Sequence, residues 1–498
     1  MDRRAERHRS TRRRLAWFAT LAAVVAVTFA AVGCGGGGDE GEAAPTEAAP
    51  AETAVAETEA AETAAAETGG EAAAAPAECS VEGVDDGVIN VFASADTPSA
   101  VIGENIGPAA HGRMSDLWIE DTNAAGGILG CPVEFTVEDD TFDIPTCTRL
   151  YRDALASGEY DFFIGPTNSG CMAGLSELTG AANKWLFSGV AADHQPFMEN
   201  FATPYVSHSS VSTMLEGRTA AKFAAEQGWT RVALMVPNYA YGQDVGVGFK
   251  SYYTELVPDG QVVNEQFPEF DEDNFTPFIN AMVGASPDFI VTAFFSSFIL
   301  PFAAQWHDSG NDANIPVVSG LAVLDTMAGL QSEDAIPENF YGYDRGNWQL
   351  LADQSEVAKK FVDLWDQTYG ADFPIPDSFT FQLLSTWQMA KALIEQTGSV
   401  DPEAWKTLIE SGEFGYEGPY RSGLTYVNPV NHMADTCASV GQIAWDESIA
   451  IPATYDPSTF VVGCMSELIP MEEVRTLTDN PDVPDEALAR HYELATAG

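Results

Sequence analysis

Between residues 88 and 319 short apolar runs recur at spacings that leave room for a helix between most of them, and this alternation constrains the chain more than any other feature. The runs are 88–95 (VINVFASA), 133–138, 161–165 (DFFIG), 185–189 (WLFSG), 231–236 (RVALMV), 262–267, 288–295 (DFIVTAFF) and 315–319. One helical stretch ends at Gly126 and Gly127, another begins near Cys171, and a third covers 213–227. A parallel pair of strands needs a crossover, and a helix supplies it, so alternation of this kind gives parallel sheets covered on both faces. The expected fold class is α/β. In such sheets ligands sit beyond the carboxyl ends of the strands.

The first 33 residues have a different composition. Arg3, Arg4, Arg7, Arg9 and Arg12 to Arg14 precede an apolar stretch at 15–32, which reads as a signal peptide. A retained transmembrane helix is the rival, because the stretch is nearly long enough to span a bilayer. Small residues just before Cys34 resemble the bacterial lipobox, in which the cysteine is lipidated and anchors the chain at the outer face of the cell membrane. The arginines also loosely resemble a twin-arginine signal, and the residues leave Sec and Tat export both open. Residues 34–78 then run through glycines into Ala, Glu, Thr and Pro with no Lys or Arg, which cannot bury enough apolar surface to repay ordering and should form an extended tether. Over all 498 residues, 23 Lys+Arg face 74 Asp+Glu, a formal charge of −51 that argues against nucleic acid or an anionic lipid surface as partner. A chain this long accommodates two or three compact units.

Several segments together carry a family resemblance: 119–128 (IEDTNAAGGI), 137–140 (VEDD), 165–170 (GPTNSG), 237–242 (PNYAYG) and 415–420 (GYEGPY). In this order, over roughly residues 88–430, they resemble the branched-chain amino acid and amide-binding proteins of ABC transporters, which have the type I periplasmic-binding-protein fold. The resemblance implies two α/β lobes joined by a hinge and closing on a ligand. It places one lobe at 88–210 and 339–425 and the other at 211–338 and 426–498. It also implies an extracytoplasmic solute-binding protein that acts as a single copy, needs no cofactor, and presents a small molecule to permease subunits.

Within 165–170 the chain leaves a strand and enters a helix, so backbone N–H groups and the hydroxyls of Thr167 and Ser169 can meet an acceptor. An ordinary turn with a capping residue explains the same pattern. By resemblance the ligand contacts are Asn168, Ser169, Gly170, Val190, Ala191, Ala192, Tyr241, Phe294, Phe295, Ser296 and Leu321. Ala192 and Leu321 stand where amino-acid-binding relatives often carry a hydroxyl and an acid, and a buried ammonium without a carboxylate is costly. The cleft is therefore expected to take a ligand with one acceptor end and an apolar body. Asp193 and Asp325 are the acids that could reverse this expectation.

With Cys34 set aside, six cysteines remain, an even number that suits an oxidising exterior. Cys79 and Cys131 precede neighbouring strands, and Cys147 and Cys171 each follow a strand and begin a helix. Cys437 and Cys464 are left as the third pair. A metal site is the rival, but no CxxC or nearby histidine has ligand spacing. Hydrolase, P-loop and dinucleotide-binding motifs are all absent, so no enzyme is expected. The remaining alternative is a receptor module of the same fold that reports ligand to a signalling partner.

Overall fold

The computed structural model describes residues 78–95, 108–191, 203–294, 296–320, 337–345, 348–370, 378–445, 453–478 and 480–497. Five strands form the first sheet: β1 (Ile89–Ala95), β2 (Val133–Asp139), β3 (Phe162–Ile164), β4 (Leu186–Ser188) and β5 (Val206–His208). Their order is β2-β1-β3-β4-β5 and every pairing is parallel. Residues of β1, β3, β4 and β5 are buried almost throughout, while β2 at the edge alternates with exposed positions. That is the pattern of central and edge strands in a sheet covered on both faces.

The second sheet has eight strands. Five of them, β6 (Arg231–Met235), β7 (Gln261–Gln266), β8 (Phe289–Thr292), β9 (Val317–Ser319) and β10 (Phe340–Asp344), run parallel. After a small hairpin of β11 (Gly415–Glu417) and β12 (Leu424–Tyr426), β13 (Cys437–Trp445) returns antiparallel beside β10. It carries β14 (Ala453–Tyr455) and β15 (Val461–Cys464) at its free side. The sequence drew a lobe boundary at 339, but β10 completes the second sheet, so the crossing comes after Asp344. Tyr343 anchors that strand by donating its hydroxyl to the Thr292 carbonyl at 2.7 Å.

Local signals start and stop the helices. Helix α1 (Ile144–Ser157) begins at Asp143, whose carboxylate accepts the Thr146 N–H, and ends at Gly158 with φ +74°. Helix α2 (Ser169–Ala181) is capped by Asn168, and α3 (Thr213–Glu226) by Ser212. Helices α3 and α4 (Ala240–Leu256) cross at glycines: a Cβ on Gly217 would lie 2.3 Å from the Val245 carbonyl oxygen, and one on Gly248 2.5 Å from that of Met214. Helix α5 (Ser378–Thr397) lies late in the sequence, yet its Trp387 packs edge-on to Phe135 and Phe162 of the first sheet.

The chain passes between the sheets three times, at 209–212, after 345 and through 427–436. The first and third passages run side by side: His208 N–H donates to the His432 carbonyl at 3.1 Å, and Ala434 N–H to that of His208 at 2.8 Å. One large core cluster includes buried residues of both sheets, and a smaller one around Phe275, Phe302 and Trp306 belongs to the second. Cys79–Cys131, Cys147–Cys171 and Cys437–Cys464 are all closed as disulfides. The last helix, α6 (Asp485–Thr496), lies beside the β11–β12 hairpin, where Arg421 donates to the Ala495 carbonyl at 2.7 Å. The C-terminal part assigned to the second lobe therefore also touches the hairpin assigned to the first.

Candidate functional site

Strand β3 delivers the loop 165–170 to the carboxyl edge of the first sheet, and β6 delivers 237–242 to the same edge of the second. The two loops meet. Asn168 Oδ1 accepts from Gly170 N and Cys171 N at 2.9 and 3.3 Å, and its Nδ2 donates to the Phe142 carbonyl at 2.8 Å. Ser169 N donates to the Tyr239 hydroxyl at 2.7 Å, and that hydroxyl donates back to Asn168 Oδ1 at 3.2 Å. Burial pushes the Tyr239 phenol up to about 12, so it remains a donor at neutral pH. The N–H groups assigned to a ligand at Ser169 and Gly170 thus already have partners.

Thr167 differs. Its hydroxyl is buried and has no hydrogen-bond partner among the described residues. A buried polar atom left in that state is costly, and a ligand or water beside it would remove the cost. The sequence reading named the Thr167 hydroxyl with that of Ser169 as able to meet an acceptor, while the ligand contacts it took from the resemblance were the next three residues, Asn168, Ser169 and Gly170.

A second group of residues lies at the crossing after β10. Arg345 is fully buried, and its Nε and Nη2 donate to Glu216 Oε1 and Oε2 at 2.9 and 3.1 Å. Its Nη1 donates to the Val190 carbonyl at 2.8 Å and to Gln382 Oε1 at 3.3 Å. The guanidinium carbon stands 5.6 Å from the Tyr241 ring centroid. Val190, Ala191 and Tyr241 are therefore brought together, as a buried wall held by an ion pair that sequence reasoning missed. The available signal was an arginine at the end of an apolar strand in a chain poor in cations.

Phe294 corrects an expectation. Strand β8 stops at Thr292, and the Phe294 ring turns into the smaller core cluster, edge-on to Phe275 at 5.1 Å, instead of facing the cleft. Ser296 begins a 3-10 turn, Ser296–Ile299. Ala192, Phe295, Leu321, Asp193, Asp325, Cys34, the signal peptide and nearly all of the tether lie outside the described residues.

Beside the hinge opens a cavity of about 200 Å³, walled by Arg345, Tyr420, Arg421, Ser439 and the Cys437–Cys464 disulfide. In the first lobe, burial pushes the Asp140 carboxyl up, against hydrogen bonds from Ser94 Oγ at 2.6 Å and Phe142 N at 2.9 Å. Among the described residues no group of three or more His, Cys, Asp or Glu is placed to hold a metal.

This fold is shared by proteins of known structure. The solute binding protein of an ABC transporter from Rhodopseudomonas palustris HaA2, solved with p-hydroxybenzoic acid, is 18% identical with a TM-score of 0.62, covering 74% of this chain and 96% of its own. An amino acid ABC transporter substrate-binding protein from Pseudomonas fluorescens Pf-5 is 18% identical, with a TM-score of 0.60 and coverage of 74% and 96%. A periplasmic binding protein from Burkholderia mallei is 13% identical, with a TM-score of 0.64 and coverage of 78% and 98%. No curated protein matches the sequence. A sequence model described as periplasmic binding protein matches residues 102–448, well over half of the chain, and so the chain belongs to that family.

Proposed function

We propose that this protein is exported, anchored at the outer face of the cell membrane through Cys34, and captures a small organic ligand between its lobes for delivery to an ABC transporter permease. The observation that carries the reading is the meeting of 165–170 with 237–242 across the two sheets, since a cleft whose rims touch can enclose its ligand. Ligand would favour the closed arrangement by binding it better than the open one. The permease would then recognise the closed shape. The structural neighbours solved with p-hydroxybenzoic acid and with benzoate support a ligand with an acceptor end and an apolar body.

The protein acts as a single copy, and residues 34–78 serve as its tether. Native mass spectrometry of the purified protein tests capture directly: a retained small molecule, returned unchanged, is expected. Cys34→Ala tests the anchor, and the variant should move from the membrane fraction to the soluble one. A variant as firmly held as wild type would favour a retained helix.

A further inference from the structure

Helix α2 begins at the carboxyl edge of the first sheet, where a ligand carboxylate would ordinarily be held by backbone N–H groups. Here those groups are already bonded to side chains of this chain. Asn168 Oδ1 accepts from Gly170 N and Cys171 N, and the Tyr239 hydroxyl, from the opposite lobe, accepts from Ser169 N at 2.7 Å. Tyr239 is the N-cap residue of α4 but makes no side-chain capping bond to its own helix; its hydroxyl is used across the cleft instead.

The ring is seated to keep it there. Phe270 lies 4.9 Å from it and Phe142 6.3 Å, and these two stack on each other at 5.7 Å. Phe142 itself has φ +57°, a left-handed backbone uncommon for a bulky residue. It is held by its N–H bond to Asp140 Oδ1 and by its carbonyl's bond from Asn168 Nδ2. Strain sustained in this way is characteristic of positions whose geometry is used.

The surroundings also disfavour an incoming anion. Arg345, the cation beside Val190 and Tyr241, is bidentate to Glu216, so its charge is compensated. Asp140 lies beneath Phe142, and the whole chain carries −51. A buried carboxylate needs several donors or a counter-charge, whereas a neutral amide needs only local hydrogen bonds.

We propose that Tyr239 is a specificity-determining residue: its hydroxyl fills the acceptor position at Ser169, so the closed cleft selects a neutral hydrogen-bonding group over a carboxylate on the same apolar body. This rests on the cleft being the ligand site, as proposed above. The test uses benzamide and benzoate, which share a ring and differ in charge, with calorimetry on the wild-type protein, Tyr239→Phe and Tyr239→Ala. Wild type should bind benzamide at least about tenfold more tightly than benzoate. Tyr239→Ala, which frees Ser169 N and opens space beside it, should shift the ratio about tenfold toward benzoate. Tyr239→Phe keeps the ring cluster and frees only the N–H, and should shift the ratio in the same direction by less. Benzoate equal to or tighter than benzamide in wild type overturns the proposal. So does a ratio that neither variant moves, including the case in which no probe binds any of the three proteins. In that case a small molecule retained in native mass spectrometry would leave the binding-protein reading standing while this proposal fell.

Discussion

Arg345 and Glu216 are 129 residues apart in sequence and both fully buried. Removing one partner of such a pair leaves the other charge buried alone, at a cost of about 3–5 kcal/mol. Arg345→Met should therefore lower the urea-unfolding free energy by that order, and adding Glu216→Gln should recover part of the loss. A single variant as stable as wild type would mean the pair is not buried in solution. Two buried histidines weaken the fold in acid. Burial pushes His111 down to about 4, and burial together with the nearby Arg421 pushes His491 down to about 3. The unfolded chain takes up protons at these sites near pH 6.5, while the folded one refuses them until far lower. Their contribution is thus complete above about pH 6.5 and lost as pH falls toward 4 and then 3. His111→Phe should flatten the stability profile between pH 6 and 4.5 by about one proton's worth of slope, measured by urea titration at each pH. At this scale the sequence revealed the glycine stop at Gly126 and Gly127 and the cysteine pairs, because each depends on local spacing or strand ends. Contacts between distant loops, such as Ser169 with Tyr239, had no local signature.

Strands were legible where both faces are buried, as in β1 and β6, since nothing but a continuous apolar run fits there. Strand β5, three residues long, is too short to show a period, and Phe294 was misdirected because the apolar run continues past the end of β8. Helix crossings were not legible, although glycines made the closest one possible. Gly217→Ala would place a methyl against the Val245 carbonyl, backbone that cannot swing aside, and should cost about 1–3 kcal/mol. Gly174 in α2 has nothing within 4 Å of its would-be Cβ, so Gly174→Ala should be neutral or stabilise by up to about 1 kcal/mol. Thermal melts of the two variants side by side check the contrast, and equal shifts would contradict the crossing.

The largest core cluster spans both sheets, from Val81 to Leu488, and this ties the two lobes into one cooperative unit. Calorimetry should give a single transition with matching calorimetric and van't Hoff enthalpies; two resolved peaks would mean the lobes unfold separately. The two-lobed plan was legible as alternation plus resemblance, but the position of β10 and the docking of α6 beside the β11–β12 hairpin were not, because both depend on pairings far along the chain. The place of α5 has a further effect, on biosynthesis. All five strands of the first sheet have emerged from the ribosome by residue 208, yet α5, which packs on that sheet through Trp387, begins at Ser378. At about 5–20 residues per second the nascent sheet waits roughly ten seconds or more for that cover. Through that interval an apolar surface is exposed, so the young polypeptide should be a client for holding chaperones until its C-terminal third has been made.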